Sequence, residues 1–293
     1  MQVQPFSVND GDGIRTTIFM AGCPLHCQWC SNPEGLDQQP KTAFYGKLCI
    51  GCGLCTTVCH LHGGIDLNQP EQRAICDGCG ACADICPRHA KKRMIVKKEA
   101  SEIVEEVKRH RLFYRQSGGG ITFSGGEATL QREFLDELSE QLYDLGFHLA
   151  LETSGYFDFD AVRTILQRMD MIFMDLKHMD PVKHQYFTGV DNRRILENMK
   201  RLSEIDAEIV IRIPVIGGVN ADAENISKSA AFVHCYLPQA KMELLPYHQF
   251  GFGKYEALGL EMPSNQFFTP SDDEMAEFKQ MVKNAGVELV DFR

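Results

Sequence analysis

A chain of 293 residues, 44% of them hydrophobic, can bury a sizeable core, and an α/β barrel of this length is one domain. Thirty basic against 40 acidic side chains give a formal charge of −10, which argues against a general nucleic-acid surface and gives no help toward an anionic membrane. No apolar run reaches the roughly 18 residues needed to span a bilayer, and the opening MQVQPFSVNDGDG has no secretory h-region, so the expectation is a cytoplasmic protein.

The first predicted strand is IRTTIFM (14–20), and directly after it comes CPLHCQWC, which spaces Cys23, Cys27 and Cys30 as C-x3-C-x2-C. Iron–sulfur clusters and structural zinc both prefer four protein ligands, so a triad leaves one position open. His26, inside the motif, is the side chain that would complete a zinc site, in crowded geometry. Two further runs, CIGCGLCTTVC and CDGCGACADIC, each read C-x2-C-x2-C-x3-C and lie 27 residues apart. Twelve cysteines, eleven of them between Cys23 and Cys86, point in a reducing compartment to metal ligation rather than disulfides.

The paired runs match the bacterial two-cluster ferredoxin pattern, in which the fourth cysteine of each run ligates the other cluster. On that pattern Cys49, Cys52, Cys55 and Cys86 hold one [4Fe–4S] cluster, and Cys76, Cys79, Cys82 and Cys59 hold the other. Pro87 follows the last cysteine as the pattern requires, whereas His60 stands where the first run should carry proline. A zinc ribbon is the alternative, needing only four cysteines and a wider central gap. The division is then an insert over 46–90 within a domain made of 1–45 and 91–293.

From about residue 99, helical and strand-like patterns alternate as in βα units on a parallel sheet. ASEIVEEVKRHRLFYRQ carries Ile103, Val104, Val107 and Leu112 at helical spacing, and QREFLDELSEQLYDLG carries Phe134, Leu135, Leu138, Leu142 and Leu145 before Gly146. Strands are expected at 120–125, 147–153, 171–177, 207–215 and 241–247. Six units side by side make a partial (β/α)6 TIM-like barrel, whose site forms at the C-terminal strand ends. Polar groups recur there: Gly125-Gly126-Glu127, Glu152-Thr153-Ser154, Asp175-Leu176-Lys177, Arg212 and His248. Glycines admit close backbone approach, and a strand-end carbonyl or carboxylate accepts from an ammonium; a salt-bridge network around the rim is the other explanation. Cys235 reads as a buried apolar residue.

The triad, with the aromatic Trp29 just before its last cysteine, resembles the radical S-adenosylmethionine (SAM) superfamily. The longer stretches NDGDGIRTTIFMAGCPLHCQWCSNPEG, SGGGITFSGGEATLQ, DLKHMD and ELLPYHQFGFGKYEALG resemble the glycyl-radical-enzyme activating enzymes, relatives of pyruvate formate-lyase activating enzyme, over nearly the whole chain. The resemblance implies that Cys23, Cys27 and Cys30 hold a [4Fe–4S] cluster, with Trp29 and Ser31 beside it, and that the amino and carboxylate groups of SAM chelate the open iron. It implies that Gly125-Gly126-Glu127 recognises the amino group, and that Asp175, Leu176, Lys177, Arg212 and His248 line the SAM pocket. Reductive cleavage of SAM would give a 5′-deoxyadenosyl radical that takes hydrogen from a glycine of a partner glycyl radical enzyme.

Two features depart from the family pattern. Asp12 replaces the proline of DGPG, and the chain begins without the lead-in strand expected there; Asp10, Gly11, Gly13 and Arg15 are read as structural or partner-facing. Three [4Fe–4S] clusters follow in total. The two in the insert are read as an electron relay, against a structural or docking role, with the basic run RHAKKRMIVKK as a guide for a flavodoxin or ferredoxin-type donor. The rival readings are a radical SAM enzyme acting on a small molecule or peptide, and a pure electron-transfer protein.

Overall fold

The structure, a computed structural model, describes residues 2–61, 64–67, 69–264 and 266–292. Strands β1 (Gln2–Ser7) and β2 (Arg15–Met20) form an antiparallel pair, and β3 (Thr42–Phe44) and β4 (Lys91–Arg93) form a separate one. The remaining strands are β5 (Ile121–Gly125), β6 (Leu149–Thr153), β7 (Met171–Asp175), β8 (Glu208–Val215), β9 (Lys241–Pro246) and β10 (Glu288–Leu289). The main sheet runs β1-β2-β5-β6-β7-β8-β9-β10, and every pairing from β2 to β10 is parallel.

All six expected strands are present, with ends displaced by up to two residues. Residues 2–7 supply a lead-in strand after all, in contrast to the expectation, because Gln2 to Gln4 pair with Thr17 to Phe19. Lys177 lies beyond the end of β7, and Leu176 donates the last backbone bond of that edge to Arg212.

Helices α1 (Leu54–Thr57), α2 (Pro70–Ala74) and α3 (Ala81–Asp84) lie between β3 and β4; α4 (Ala100–Lys108) and α5 (Arg111–Ser117) lead into β5. The helix expected over 100–116 is therefore broken at Arg109 and His110. The break turns Leu112 outward, 64% exposed, while Ile103, Val104 and Val107 stay in the core. Helices α6 (Arg132–Asp144), α7 (Phe159–Leu166), α8 (Pro181–Thr188), α9 (Arg193–Arg201) and α10 (Ala223–Tyr236) form the crossovers between β5 and β9. After β9 come α11 (Phe252–Leu258) and α12 (Asp272–Asn284).

The strands are buried on both faces, as parallel strands under crossover helices must be. One face, with Ile18, Phe123, Leu151, Ile172, Ile211 and Met242, packs on the helices. On the other face Ala150, Met171, Phe173 and Val210 cluster with Val290 and Phe292, the Phe292 ring meeting Phe173 edge-on at 5.3 Å. Above that apolar layer lies a polar one, where Arg212 pairs with Glu152 and, at 2.7 Å, with Glu243, its guanidinium 3.7 Å from the Phe173 ring centre.

Arg15 is fully buried at the start of β2, donating to Thr122 Oγ1 at 2.7 Å and to the Ile121 carbonyl at 2.9 Å. It is a fastening of the sheet. Asp10, in the same loop, accepts from Ser7 and from Thr17.

The β3–β4 ladder, Thr42↔Arg93 to Phe44↔Lys91, closes the neck of the cysteine-rich segment just outside the expected boundaries. The repeat in sequence is a repeat in backbone: Gly51 and Gly53 have φ +69° and +74°, and Gly78 and Gly80 have φ +70° and +77°. Side chains other than glycine rarely adopt those angles, and they turn each run into the short helix that follows.

Candidate functional site

The loop carrying Cys23, Cys27 and Cys30 leaves the C-terminal end of β2 and is fixed from three sides. Its backbone donates from His26 to the Thr188 carbonyl at 2.8 Å and from Gln28 to the Phe187 carbonyl at 3.0 Å, both at the end of α8. Helix α11 grips the far side: Tyr255 Oη donates to the Cys30 carbonyl at 2.9 Å, and Lys254 Nζ reaches Asn32 at 2.9 Å and Glu34 at 2.7 Å. These α11 residues are not among the expected site residues; their signal is the GFGKYEALG stretch, whose contact with NPEG, more than 200 residues away, only folding brings about.

On the third side, Gly126 N–H donates to the Met20 carbonyl at 2.8 Å and Glu127 N–H to the Gly22 carbonyl at 2.7 Å. A Cβ on Gly125 would meet the Met20 carbonyl oxygen at 2.3 Å, and one on Gly126 the Gly22 carbonyl oxygen at 2.3 Å. Both glycines are required by the close approach of strand β5 to the cysteine loop.

A cavity of about 340 Å³ opens at the C-terminal ends of β2 and of β5 to β9. Cys23, Cys27 and Cys30 line one side of it with Trp29 and Ser31. Gly125, Gly126, Asp175 and Lys177 line the strand-end side, and Arg212, Tyr247 and His248 the rest. Two expected residues fall outside. Leu176 points the other way, into the helix-covered core, as alternation between Asp175 and Lys177 demands.

Glu127, 1% exposed, has its carboxylate occupied: Thr129 Oγ1 and Thr153 Oγ1 each donate at 2.8 Å, Ser154 N–H at 2.8 Å and Ser154 Oγ at 2.5 Å. It laces β5 to β6, leaving backbone carbonyls as the acceptors at this corner. His26 is exposed and does not line the cavity, so the zinc set lacks its fourth ligand. Cys235 is exposed on α10, not buried, because that helix turns Ile226, Ala230 and Val233 inward.

The electrostatics follow from burial. Desolvation pushes the Cys23 thiol up to about 11 and Cys27 up to about 12, and it raises Cys30 too, with Lys177 drawing all three down only partly. Without a metal these are neutral thiols; iron would displace their protons. Burial alone would lower Lys177, yet Asp175 and the neighbouring Cys27 hold it above its ordinary value, an ammonium facing the sulfurs. The ion pairs expected at the rim are present, Asp175 with Lys177 and Glu152 with Arg212, and they line the cavity as well. The cavity thus offers three sulfurs and charges of both signs. The Tyr247 hydroxyl is buried with no hydrogen-bond partner among the described residues, which fits a polar atom of a bound ligand.

The insert holds two smaller cavities. Cys49, Cys52, Cys55 and Cys86 line one. Cys59, Cys76, Cys79 and Cys82 line the other, with Cys55 at its edge. Backbone N–H groups already point at sulfur, from Gly51 to Cys49 at 3.5 Å and from Ala90 to Cys86 at 3.3 Å. The basic run is not one solvated face: Lys91 is buried over the Phe44 ring at 5.6 Å, Arg93 pairs with Asp84 and Lys98 with Glu106.

Residues 17–230 match the Radical SAM superfamily, and the chain belongs to it. The curated relatives place it within that superfamily among the activating enzymes of glycyl radical enzymes. It is 37% identical over 285 residues (94% of this chain, 92% of the relative) to the choline trimethylamine-lyase activating enzyme of Oleidesulfovibrio alaskensis. It is 38% identical over 289 residues (96% and 94%) to the trans-4-hydroxy-L-proline dehydratase activating enzyme of Clostridioides difficile. Among solved structures, a domain of pyruvate-formate lyase-activating enzyme from Bacteroides vulgatus aligns with TM-score 0.50 and 33% identity, over 59% of this chain and 98% of that one.

Proposed function

We propose that this activating enzyme holds one [4Fe–4S] cluster on Cys23, Cys27 and Cys30 with SAM on its open iron, and two further [4Fe–4S] clusters in the insert. The domain of 1–45 and 91–293 is read as a partial (β/α)6 barrel around that site, and 46–90 as a ferredoxin-like insert. When bound, cluster and SAM supply a one-electron cleavage of the sulfonium and the hydrogen abstraction from a glycine Cα that follows. The observation that carries this reading is the triad of half-buried cysteines, with no fourth protein ligand among the described residues, facing a cavity with charges of both signs.

The chain's own residues bind, orient and exclude water. Lys177 and Arg212 suit a carboxylate, and the carbonyls of the Gly125-Gly126 corner with Asp175 suit an ammonium. Tyr247, whose hydroxyl has no partner among the described residues, and His248, stacked on Phe250 at 4.5 Å, suit the adenosine end. Trp29, Ile216, Tyr247 and Phe267 form an apolar wall that keeps water from the sulfurs. A pure electron carrier has no use for such a cavity.

The protein substrate is a glycyl radical enzyme, and we place the reaction in the cytoplasm with a flavodoxin or ferredoxin-type donor; among the described residues no helix is long and apolar enough to cross a membrane. The relatives act with a lyase, a decarboxylase and a dehydratase at nearly equal identity, so likeness does not choose the partner. Anaerobic incubation of the reduced, reconstituted protein with SAM tests the reading by chromatography of 5′-deoxyadenosine. Product from wild type and none from Cys27→Ala is expected. No product from a protein loaded with iron and sulfide at all three sites overturns it.

A further inference from the structure

The two cysteine runs repeat each other in sequence and each exposes part of itself, Cys49 and Cys52 in the first and Cys79 in the second, yet the fold packs their glycines differently. A Cβ added at Gly51 or Gly53 would meet nothing within 4 Å among the described residues. At the matching positions of the second run it would strike the Pro40 carbonyl oxygen at 2.2 Å from Gly78 and the Arg93 side chain at 2.3 Å from Gly80. The second run is therefore pressed against the chain that leaves the Cys23–Cys30 loop. Arg73, just ahead of Cys76, donates to the Ala257 carbonyl at 3.0 Å, in the same helix α11 whose Lys254 and Tyr255 grip that loop.

The leading half of the first run faces solvent. Residues 46–54 are all exposed, Cys49 and Cys52 among them, and around the two sulfurs stand Leu48, Ile50 and Leu54, 44%, 64% and 42% exposed. Large apolar side chains collected on an exposed rim mark an interaction surface rather than a solvated loop. The charge is one-sided as well: from residue 46 to residue 65 the chain has no acidic residue, and exposed Lys47 and Arg88 flank the collar, Arg88 lining the same cavity as Cys49 and Cys86. In a chain of net charge −10 this is a local positive patch.

We propose that the face made by Leu48, Ile50, Leu54, Lys47 and Arg88 docks an acidic one-electron carrier protein, and that electrons pass from the first-run cavity to the second and then to the Cys23–Cys30 loop. The inference rests on the reading that both insert cavities hold [4Fe–4S] clusters. In the uptake step the reduced carrier loses one electron and the cluster of Cys49, Cys52, Cys55 and Cys86 goes from the 2+ to the 1+ state; no atom is transferred. Complementary charge of this kind governs the rate of encounter and its salt dependence.

The test uses holoenzyme whose iron and sulfide content has been measured, reduced in a stopped-flow instrument either by a fully reduced acidic flavodoxin or by photoreduced deazaflavin, a small uncharged reductant. In the double variant Lys47→Glu/Leu48→Glu, neither residue lining the cluster cavity, the second-order rate with flavodoxin at low salt should fall on the order of tenfold and lose its salt dependence. The deazaflavin rate and the iron content should stay at the wild-type level. Ile75→Glu, on an exposed side chain beside the second run, should leave both rates unchanged. Wild-type flavodoxin rates in the double variant, or a fall confined to Ile75→Glu, would overturn the docking face. A wild-type protein with iron for a single cluster would instead refute the three-cluster reading on which the inference rests.

Discussion

Glu127 shows how much can turn on one buried side chain. Its position in a Gly-Gly-Glu turn after a cysteine triad points to ligand recognition, while its carboxylate is spent on Thr129, Thr153 and Ser154. In Glu127→Gln an amide N–H₂ replaces one acceptor oxygen and faces donors, so buried donors lose their partners at about 1–3 kcal/mol each. We expect urea melts of the apo-protein to show a loss of a few kcal/mol, with slower 5′-deoxyadenosine formation. Wild-type stability with lost SAM affinity would instead mark the carboxylate as a direct ligand contact. Legibility at this scale was uneven. Cys23, Cys27, Cys30, Asp175, Lys177, Arg212 and His248 could be placed from spacing and strand ends, whereas the side-chain directions of Glu127 and Leu176 could not, because which face of a strand end turns to the cavity depends on the neighbouring strands.

Among the elements, α8 has a role its sequence does not announce: the carbonyls of Phe187 and Thr188 hold the cysteine loop. His184 anchors that turn. Its Nδ1 lies 2.6 Å from the Val190 carbonyl oxygen and so carries the hydrogen, leaving Nε2 buried with no partner among the described residues. Burial lowers His184 below its ordinary 6.5, the nearby Lys177 and His178 adding to the effect while the Val190 bond and Asp191 oppose it; His178 is lowered too, again chiefly by burial. Depressed values mean that the unfolded chain takes up protons first, so stability present above pH 6.5 is lost as pH falls toward the folded values, at up to about 1.4 kcal/mol per pH unit for each histidine. Urea melts of the apo-protein at pH 7.5 and 5.5 should differ, and His184→Gln, which keeps a donor for Val190 without titrating, should show the smaller difference. Equal differences would remove His184 from the account. The break between α4 and α5 belongs to the same scale: hydrophobic spacing ran through it, and packing decided that Leu112 faces water.

For the molecule as a whole, the cysteine-rich segment and the strand-end cavity are tied through α11, and on the proposed relay reading the segment's cysteines should matter to electron delivery and not to SAM binding. Cys52→Ala and Cys79→Ala are expected to keep SAM binding and to cut reductive cleavage to a small fraction of wild type; full-speed cleavage with both insert clusters gone would leave the insert a structural or docking role. Periodicity was enough to set out the parallel α/β sheet, and cysteine spacing to mark the triad and the two repeated runs, because each is written in neighbouring residues. Which of two nearly identical cysteine runs has its glycines packed against the rest of the chain, which helix clamps the Cys23–Cys30 loop, and which side chains of the strand ends enter the cavity were settled by contacts between segments tens to hundreds of residues apart. Local sequence carries no record of such contacts, since their energy exists only once the sheet has brought the segments together.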